Sequence, residues 1–256
     1  MCVIYLSFRS DRRYPLVVAA NRDEFHERPT APLSEWDGGI VAGRDLRGGG
    51  TWMGLHRSGR FAALTNFREP SPPAASKSRG TLVTAWLRDG SDPERWVRDL
   101  ATDSAAYGGF SLFVSDLSSL AHVSNRGGRA ARLDPGVYAI GNGLLGDPWP
   151  KVLRGKEAFE RALESAADPL EPLLSLLADS TPSADGPLPE TGIGPERERA
   201  LSPIFIRGDL YGTRASSVVL VDPDGHARLV ERSFGPGGTP GSTRSIELAL
   251  TNDDGD

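Results

Sequence analysis

Two apolar runs, Cys2-Val3-Ile4-Tyr5-Leu6-Ser7-Phe8 and Leu16-Val17-Val18-Ala19-Ala20, decide the fold of this chain. The polar turn Ser10-Asp11-Arg12-Arg13 separates them, and the tetrad Asn21-Arg22-Asp23-Glu24 follows the second. Both runs are rich in strand formers, so the pair reads as a β-hairpin. Pairing places the tetrad, at the rim of the second strand, near the start of the first. The chain's one cysteine then sits beside Asp23.

The rest of the chain extends this pattern. Arg28-Pro29-Thr30-Ala31-Pro32 breaks regular structure, and residues up to Arg47 read as loop with short extended pieces. Thr51 to His56 and Arg60 to Asn66, split by Ser58-Gly59, form a second hairpin. Pro70, Pro72 and Pro73 end it, and the period changes. Leu82, Val83, Trp86 and Leu87 share a helical face. Asp92 caps a second helix with Pro93 at its first position. Strands return at Phe110–Val114, Leu120–Val123 and Val137–Ile140, followed by Asn142 between two glycines. A helix from about Pro150 to Ala167 and a shorter one carrying Leu173, Leu174 and Leu177 come next.

Residues 180–199 read as a long surface loop, and Ile204-Phe205-Ile206, Ser216–Val221, His226–Phe234 and an edge at Ile246–Leu250 as strands. The tail 252–256 reads as frayed. Hairpins dominate, and parallel βαβ alternation is absent. The expected class is α+β, with antiparallel sheets covered by helices, in a single domain over residues 1–256.

Composition excludes several functions. A formal net charge of −5 with acids and bases interspersed argues against a nucleic-acid partner. No apolar run is long enough to span a bilayer. A single cysteine rules out a disulfide framework or multi-cysteine metal site within the chain, and fits a cytoplasmic location. His26, His56, His122 and His226 show no metal-ligand spacing, so no metal site is expected. Leu188-Pro189-Glu190-Thr191-Gly192 has the letters of a sortase signal but lacks the C-terminal apolar tail, and Arg207-Gly208-Asp209 is a chance triplet.

Cys2 carries the chemistry. Loss of the initiator Met would leave a cysteine bearing both thiol and α-amine. The amine has a reference pKa of about 7.7–8.0 and the thiol about 8.5, so the amine can serve as the thiol's own base. The bland alternative is a small buried hydrophobe in a strand. Asn66, Asn142 and Arg214 stand at other strand ends, as candidate amide donors and a cation.

Several motifs in one order make the chain similar to a known family: Met1-Cys2, Ala20 to Phe25, Gly49 to Gly54, Leu64 to Arg68, Ser78 to Gly80, Asp147 to Lys151, Leu188 to Gly192, Ile204 to Ile206 and Tyr211 to Arg214. It resembles the NRDE family, related to the transport and Golgi organisation protein 2 of animals. The resemblance implies the fold of the N-terminal nucleophile hydrolases, a four-layer αββα sandwich. By likeness to the cysteine amidases of that superfamily, Cys2 is the nucleophile and base of an amidohydrolase acting on a C–N bond of a small amide. Asp23 holds the amine, Asn66 and Asn142 supply oxyanion or substrate donors, and Arg214 orients the site. Asn21, Arg22 and Glu24 complete the motif. That reading requires no cofactor.

One position departs: the amidases carry an arginine just before Asn-x-Asp, where this chain has Ala20. Arg22, one residue past Asn21, is expected on the opposite face from Asn21. The family is also linked to haem trafficking. A non-catalytic haem carrier is therefore the rival expectation, and an inactive scaffold a third.

Overall fold

The computed structural model describes residues 2–71, 75–127, 130–183 and 188–251. Met1, Pro72, Pro73, part of the 180–199 loop and the 252–256 tail lie outside them.

The first hairpin forms as its composition dictates. β1 (Cys2–Phe8) and β2 (Leu16–Phe25) pair antiparallel, Cys2 opposite Arg22 and Ile4 opposite Ala20. Alternation sends Ile4, Leu6, Phe8, Val18 and Ala20 to one face, and Val3, Tyr5, Val17 and Ala19 to the other. Both faces are apolar, so both strands are covered on both sides. This is why the runs are continuous rather than alternating in polarity.

Two further hairpins lie between residues 30 and 66: β3 (Thr30–Glu35) with β4 (Ile40–Asp45), and β5 (Met53–His56) with β6 (Phe61–Asn66). Helices α1 (Gly80–Arg88) and α2 (Pro93–Thr102) follow, the second capped by Asp92 accepting from the Arg95 N–H at 2.8 Å. Then come β7 (Phe110–Ser115), β8 (Leu120–Ser124), β9 (Ala131–Leu133) and β10 (Gly136–Ile140). Helices α3 (Pro150–Ser165), α4 (Leu170–Leu177) and α5 (Pro195–Ala200) precede β11 (Tyr211–Val221), β12 (His226–Phe234) and β13 (Pro240–Ala249).

The strands form two antiparallel sheets, ordered β10-β1-β2-β11-β12-β13 and β3-β4-β5-β6-β7-β8-β9. Their inner faces meet in one apolar layer containing Ile4, Leu6 and Val18 from the first sheet and Val41, Phe61 and Phe113 from the second. Helices α3 and α4 cover the outer face of the first sheet, and α1 and α2 that of the second. The result is α+β with αββα layering, as expected. Among the described residues, no helix is long and apolar enough to cross a membrane.

Four local expectations are corrected. The tetrad does not follow β2; it lies inside it, because pairing with β11 extends the strand to Phe25. Residues 30–45 are a paired strand hairpin rather than loop with short extended pieces; Pro29 and Pro32 mask the pattern. Ile204-Phe205-Ile206 is not a strand. Its backbone bonds individually instead, Phe205 N–H to Asp179 O at 2.8 Å and Ile206 O accepting from Thr213 N–H at 2.9 Å. The 180–199 loop contains α5.

Close approach fixes α3 on the sheet. Gly155 faces the buried Tyr5, whose hydroxyl donates to Lys151 O at 2.8 Å, and a Cβ at 155 would overlap the Tyr5 ring. Helix propensity alone favours Gly155→Ala by about 1 kcal/mol, whereas overpacking a rigid ring costs about 1–3 kcal/mol. Gly155→Ala is therefore expected to lower the urea midpoint. A raised midpoint would contradict this packing.

Candidate active site

Alternation along β2 sorts the tetrad by face. Asn21 and Asp23 point to the helix side of the sheet. Arg22 and Glu24 point to the side that faces the second sheet. Cys2, directly across from Arg22, shares its face. Ala20 is on that face too, so Arg22 presents its charge one pleat along from the position where the amidases keep an arginine.

Asn21 is fully buried and fully used. Its Nδ2 donates to Leu177 O at 2.8 Å and Ile204 O at 2.9 Å, and its Oδ1 accepts from Ser216 Oγ at 2.6 Å. It ties α4 and the 204–206 segment to the sheet and does not line the cleft. Asp23 is 2% exposed and accepts from Thr213 Oγ1 at 2.7 Å. Burial pushes its carboxyl above the ordinary range, while the Lys151 ammonium pulls it back down.

Lys151, in the first turn of α3, is itself buried, and its Nζ donates to Leu201 O at 3.2 Å. Desolvation lowers its pKa to about 8, against the opposing attraction of Asp23. Arg68 and Glu198 form a buried ion pair above this group. Glu198 also accepts from the Thr191 N–H and hydroxyl, so the pair pins the 188–200 segment over the site.

Cys2 is 5% exposed. Desolvation raises its thiol pKa; the Arg22 guanidinium and a backbone hydrogen bond from Asp23 oppose that rise. The residue lines a cleft of roughly 1680 Å³ that also takes in Arg22, Asp23, Asn66, Arg68, Tyr211 and Arg214. Tyr211 is half-buried, and desolvation of its hydroxyl, with the nearby Asp23 charge, raises its pKa and holds it protonated.

The five residues expected to act together are not equivalently placed. Cys2, Asp23, Asn66 and Arg214 line the cleft; Asn142 does not. Asn142 is fully buried, and its Nδ2 donates to Asn66 O at 2.9 Å while its own carbonyl accepts from Arg68 N–H at 2.7 Å. It braces the strand end that carries Asn66. Arg214 sits at a β-bulge between Thr213 and Ala215, and its Nη1 donates to the carbonyls of Phe25, His26 and Arg28. It clamps the turn leaving β2.

Glu24 lies 3.7 Å from Arg22 and 3.8 Å from Arg28. None of the four histidines lines the cleft. Asp222, Asp224 and His226 cluster at the exposed β11–β12 turn, where Asp222 accepts from the backbone N–H of the other two. This is the hydrogen bonding of a turn.

Sequence reading gave no role to Lys151, Thr213, Arg68, Tyr211 or Glu198. The first four fall inside motifs quoted for the family resemblance. A lysine directly after Trp149-Pro150, at a helix start, is a signal that could have been read.

The family model described as Transport and Golgi organisation 2 matches residues 1–236. The Transport and Golgi organization 2 homolog of Mus musculus is 34% identical over 91% of this chain and 93% of its own length. Transport and Golgi organization protein 2 of Drosophila melanogaster is 28% identical over 91% of this chain and 92% of its own. Among solved structures, a mutant C2A conjugated bile acid hydrolase from Clostridium perfringens superposes with a TM-score of 0.51. It is 10% identical and covers 100% of this chain and 95% of that one. The fold is that of the N-terminal nucleophile hydrolases.

Replacing Asn21 by Leu would strip partners from two buried carbonyls and a buried hydroxyl, at about 1–3 kcal/mol for each unsatisfied group. Asn21→Leu is expected to lower Tm by at least about 5 °C. An unchanged Tm would show that Asn21 is not the tie described.

Proposed function

Because this chain belongs to the Transport and Golgi organisation 2 family, and its fold is that of the N-terminal nucleophile hydrolases, we propose that it is an amidohydrolase whose nucleophile is Cys2. The observation that carries the proposal is the position of Cys2. It is the first residue of a central strand, with its thiol on a large cleft and a buried carboxylate on the neighbouring strand.

Once whatever precedes Cys2 is removed, its α-amine becomes the base. The amine takes the thiol proton, the sulfur attacks the amide carbonyl, and the carbonyl oxygen becomes an oxyanion. The protonated amine then gives its proton to the leaving nitrogen, the C–N bond breaks, and a thioester remains. Water, deprotonated by the same amine, attacks that thioester and frees the acid.

Asp23 orients the ammonium. Its ionised state is favoured by Lys151 and by the Thr213 hydroxyl. We assign the oxyanion donor to Asn66, because it lines the cleft; Asn142 acts through it, by holding its backbone. Arg22, on the Cys2 face, favours the thiolate and takes over the task of the arginine missing at Ala20.

The reading is tested in two measurements. Intact mass of the purified protein is expected to show a chain that begins at Cys2; a retained Met1 sinks the proposal. Hydrolysis of a panel of N-acyl amides, followed by release of amine, is expected to fall at least about a thousand-fold in Cys2→Ala and about a hundred-fold in Asp23→Asn. Equal turnover by wild type and Cys2→Ala would sink it equally.

The thiol adds a pH-dependent check. Burial raises its pKa in the chain whose N-terminus is extended, so iodoacetamide should label Cys2 of the extended chain slowly at neutral pH and faster as pH rises toward and above 9. The chain that begins at Cys2, with its own base, is expected to react at least about tenfold faster at pH 7.5. Equal rates would argue against an amine-assisted thiol.

A further inference from the structure

The charge of the cleft is opposite to that of the chain. The protein carries a net −5. Yet among the described residues ten Arg and Lys side chains and six carboxylates line the cleft. The carboxylates are largely spent: Asp45 is paired with Arg28 at 2.6 Å, Glu69 with Arg126 at 2.8 Å, and Glu231 accepts from the Leu33 N–H at 2.8 Å. The cations are spent only in part: Arg28 and Arg68 are paired with carboxylates, and Arg44, Lys77 and Arg207 stand over the rings of Trp36, Tyr107 and Phe205 without losing their charge. Arg44, Arg47, Lys77, Arg79, Arg197 and Arg207 all line the cleft and form no ion pair among the described residues. In a concave site with low-dielectric walls, such an excess concentrates anions.

Arg79 is the member set deepest. It immediately precedes α1 on the wall formed by the second sheet, and its Nη1 donates to Gly109 O at 2.9 Å. That bond anchors one arm of the guanidinium and leaves the other nitrogens for a ligand. Arg79 lines the cleft from the side of the second sheet, through its bond to Gly109, while Cys2 lines the same cleft from the first. The N-terminus of α1 adds its partial positive charge on the same wall. Trp52, Leu64, Phe67 and Ile206 give the same cleft apolar surface suited to an acyl chain.

We infer that the substrate is an anionic N-acyl amide, its acyl chain on the apolar wall and a carboxylate or phosphate near the scissile bond held by Arg79. This rests on the amidohydrolase reading for the bond that is cut, but not for the charge. Carboxylate and phosphate both match an arginine fork, so the two are separated by experiment.

The test uses Cys2→Ala protein, which binds without turnover, and isothermal titration calorimetry with three ligands: N-octanoylglycine, the neutral N-octanoylglycinamide and N-octanoyl-O-phosphoethanolamine. At least one anion is expected to bind about tenfold or more tightly than the neutral amide at about 0.05 M salt, with the ratio shrinking several-fold at about 0.5 M. The tighter of the two anions names the group. Arg79→Gln in the same background is expected to narrow the anion-to-neutral ratio to within about threefold. If that variant does not fold, the exposed double variant Lys77→Gln/Arg197→Gln is expected to narrow it in the same direction. An anion that binds no better than the neutral amide, or a preference unmoved by salt and by both variants, overturns the inference.

Turnover by wild type then separates the two readings. Selective anion binding without cleavage of any of the three ligands keeps the charge assignment and removes the hydrolase. Cysteine-dependent cleavage without an anion preference keeps the hydrolase and removes the charge assignment.

Discussion

One constraint organises this molecule: β2 is covered on both faces yet carries three consecutive polar residues, Asn21, Arg22 and Asp23, each less than 10% exposed. A buried amide or charge left unsatisfied costs several kcal/mol, so every neighbour of β2 must answer it. The answers define the architecture. Ser216 and the carbonyls of Leu177 and Ile204 meet Asn21, which fixes where α4 ends and how the chain returns to β11. The Thr213 hydroxyl donates to Asp23, and the ammonium of Lys151, in the first turn of α3, favours its charged form. Arg22 has only the inter-sheet side available, and there the apolar layer opens into the cleft.

The same constraint explains why the site is at this end of the sheet. Further along β2, Ala19, Val18 and Val17 are buried in the two apolar layers, which leave no room for water or substrate. The inter-sheet layer stops at Ala20. Beyond it the bulge at Arg214 re-aims β11, and the Arg68–Glu198 pair holds the 188–200 segment across the opening. A buried ion pair of this kind is a weak source of stability, since desolvation offsets most of its attraction. Its value is positional, because breaking either partner would strand a charge and release the segment.

Much of this was legible in the sequence. The two uninterrupted apolar runs of the first hairpin state that both faces are covered, and that alone implies layers on each side. The helix signal at Asp92-Pro93 is strong because cap, proline and period agree; the one at Pro150 rests on the proline in its first turn and on the period, with no side-chain cap. What failed had specific causes. Asn-Arg-Asp-Glu reads as a strand terminus because charged residues are rare in doubly buried strands, and only the pairing with β11 keeps it in the sheet. The Pro29 and Pro32 punctuation concealed the β3–β4 hairpin, whose register is itself irregular between Ala31 and Ser34. At the site, Cys2, Asp23, Asn66 and Arg214, named from type and position, line the cleft, whereas Arg68 and Tyr211 line it without having been singled out. Those that act from behind, Lys151 and Thr213, were not singled out either, because nothing local marks a side chain whose partner is more than a hundred residues away.

The register also bears on the substitution at Ala20. An arginine at position 20 would place its guanidinium on the Cys2 face but inside the closed apolar layer, where Ala20 has no exposure at all. Moved two residues along the strand, the charge keeps the same face, sits directly opposite Cys2 and gains Glu24 as a partner at the edge of the cleft. The period of two makes this the nearest position that preserves the face. A cation at position 21 would have pointed at α4, and one at 23 would have displaced the carboxylate. The geometry of an antiparallel pair thus lets Arg22 carry positive charge on the face of the thiol, directly opposite Cys2, without opening the sheet-to-sheet core.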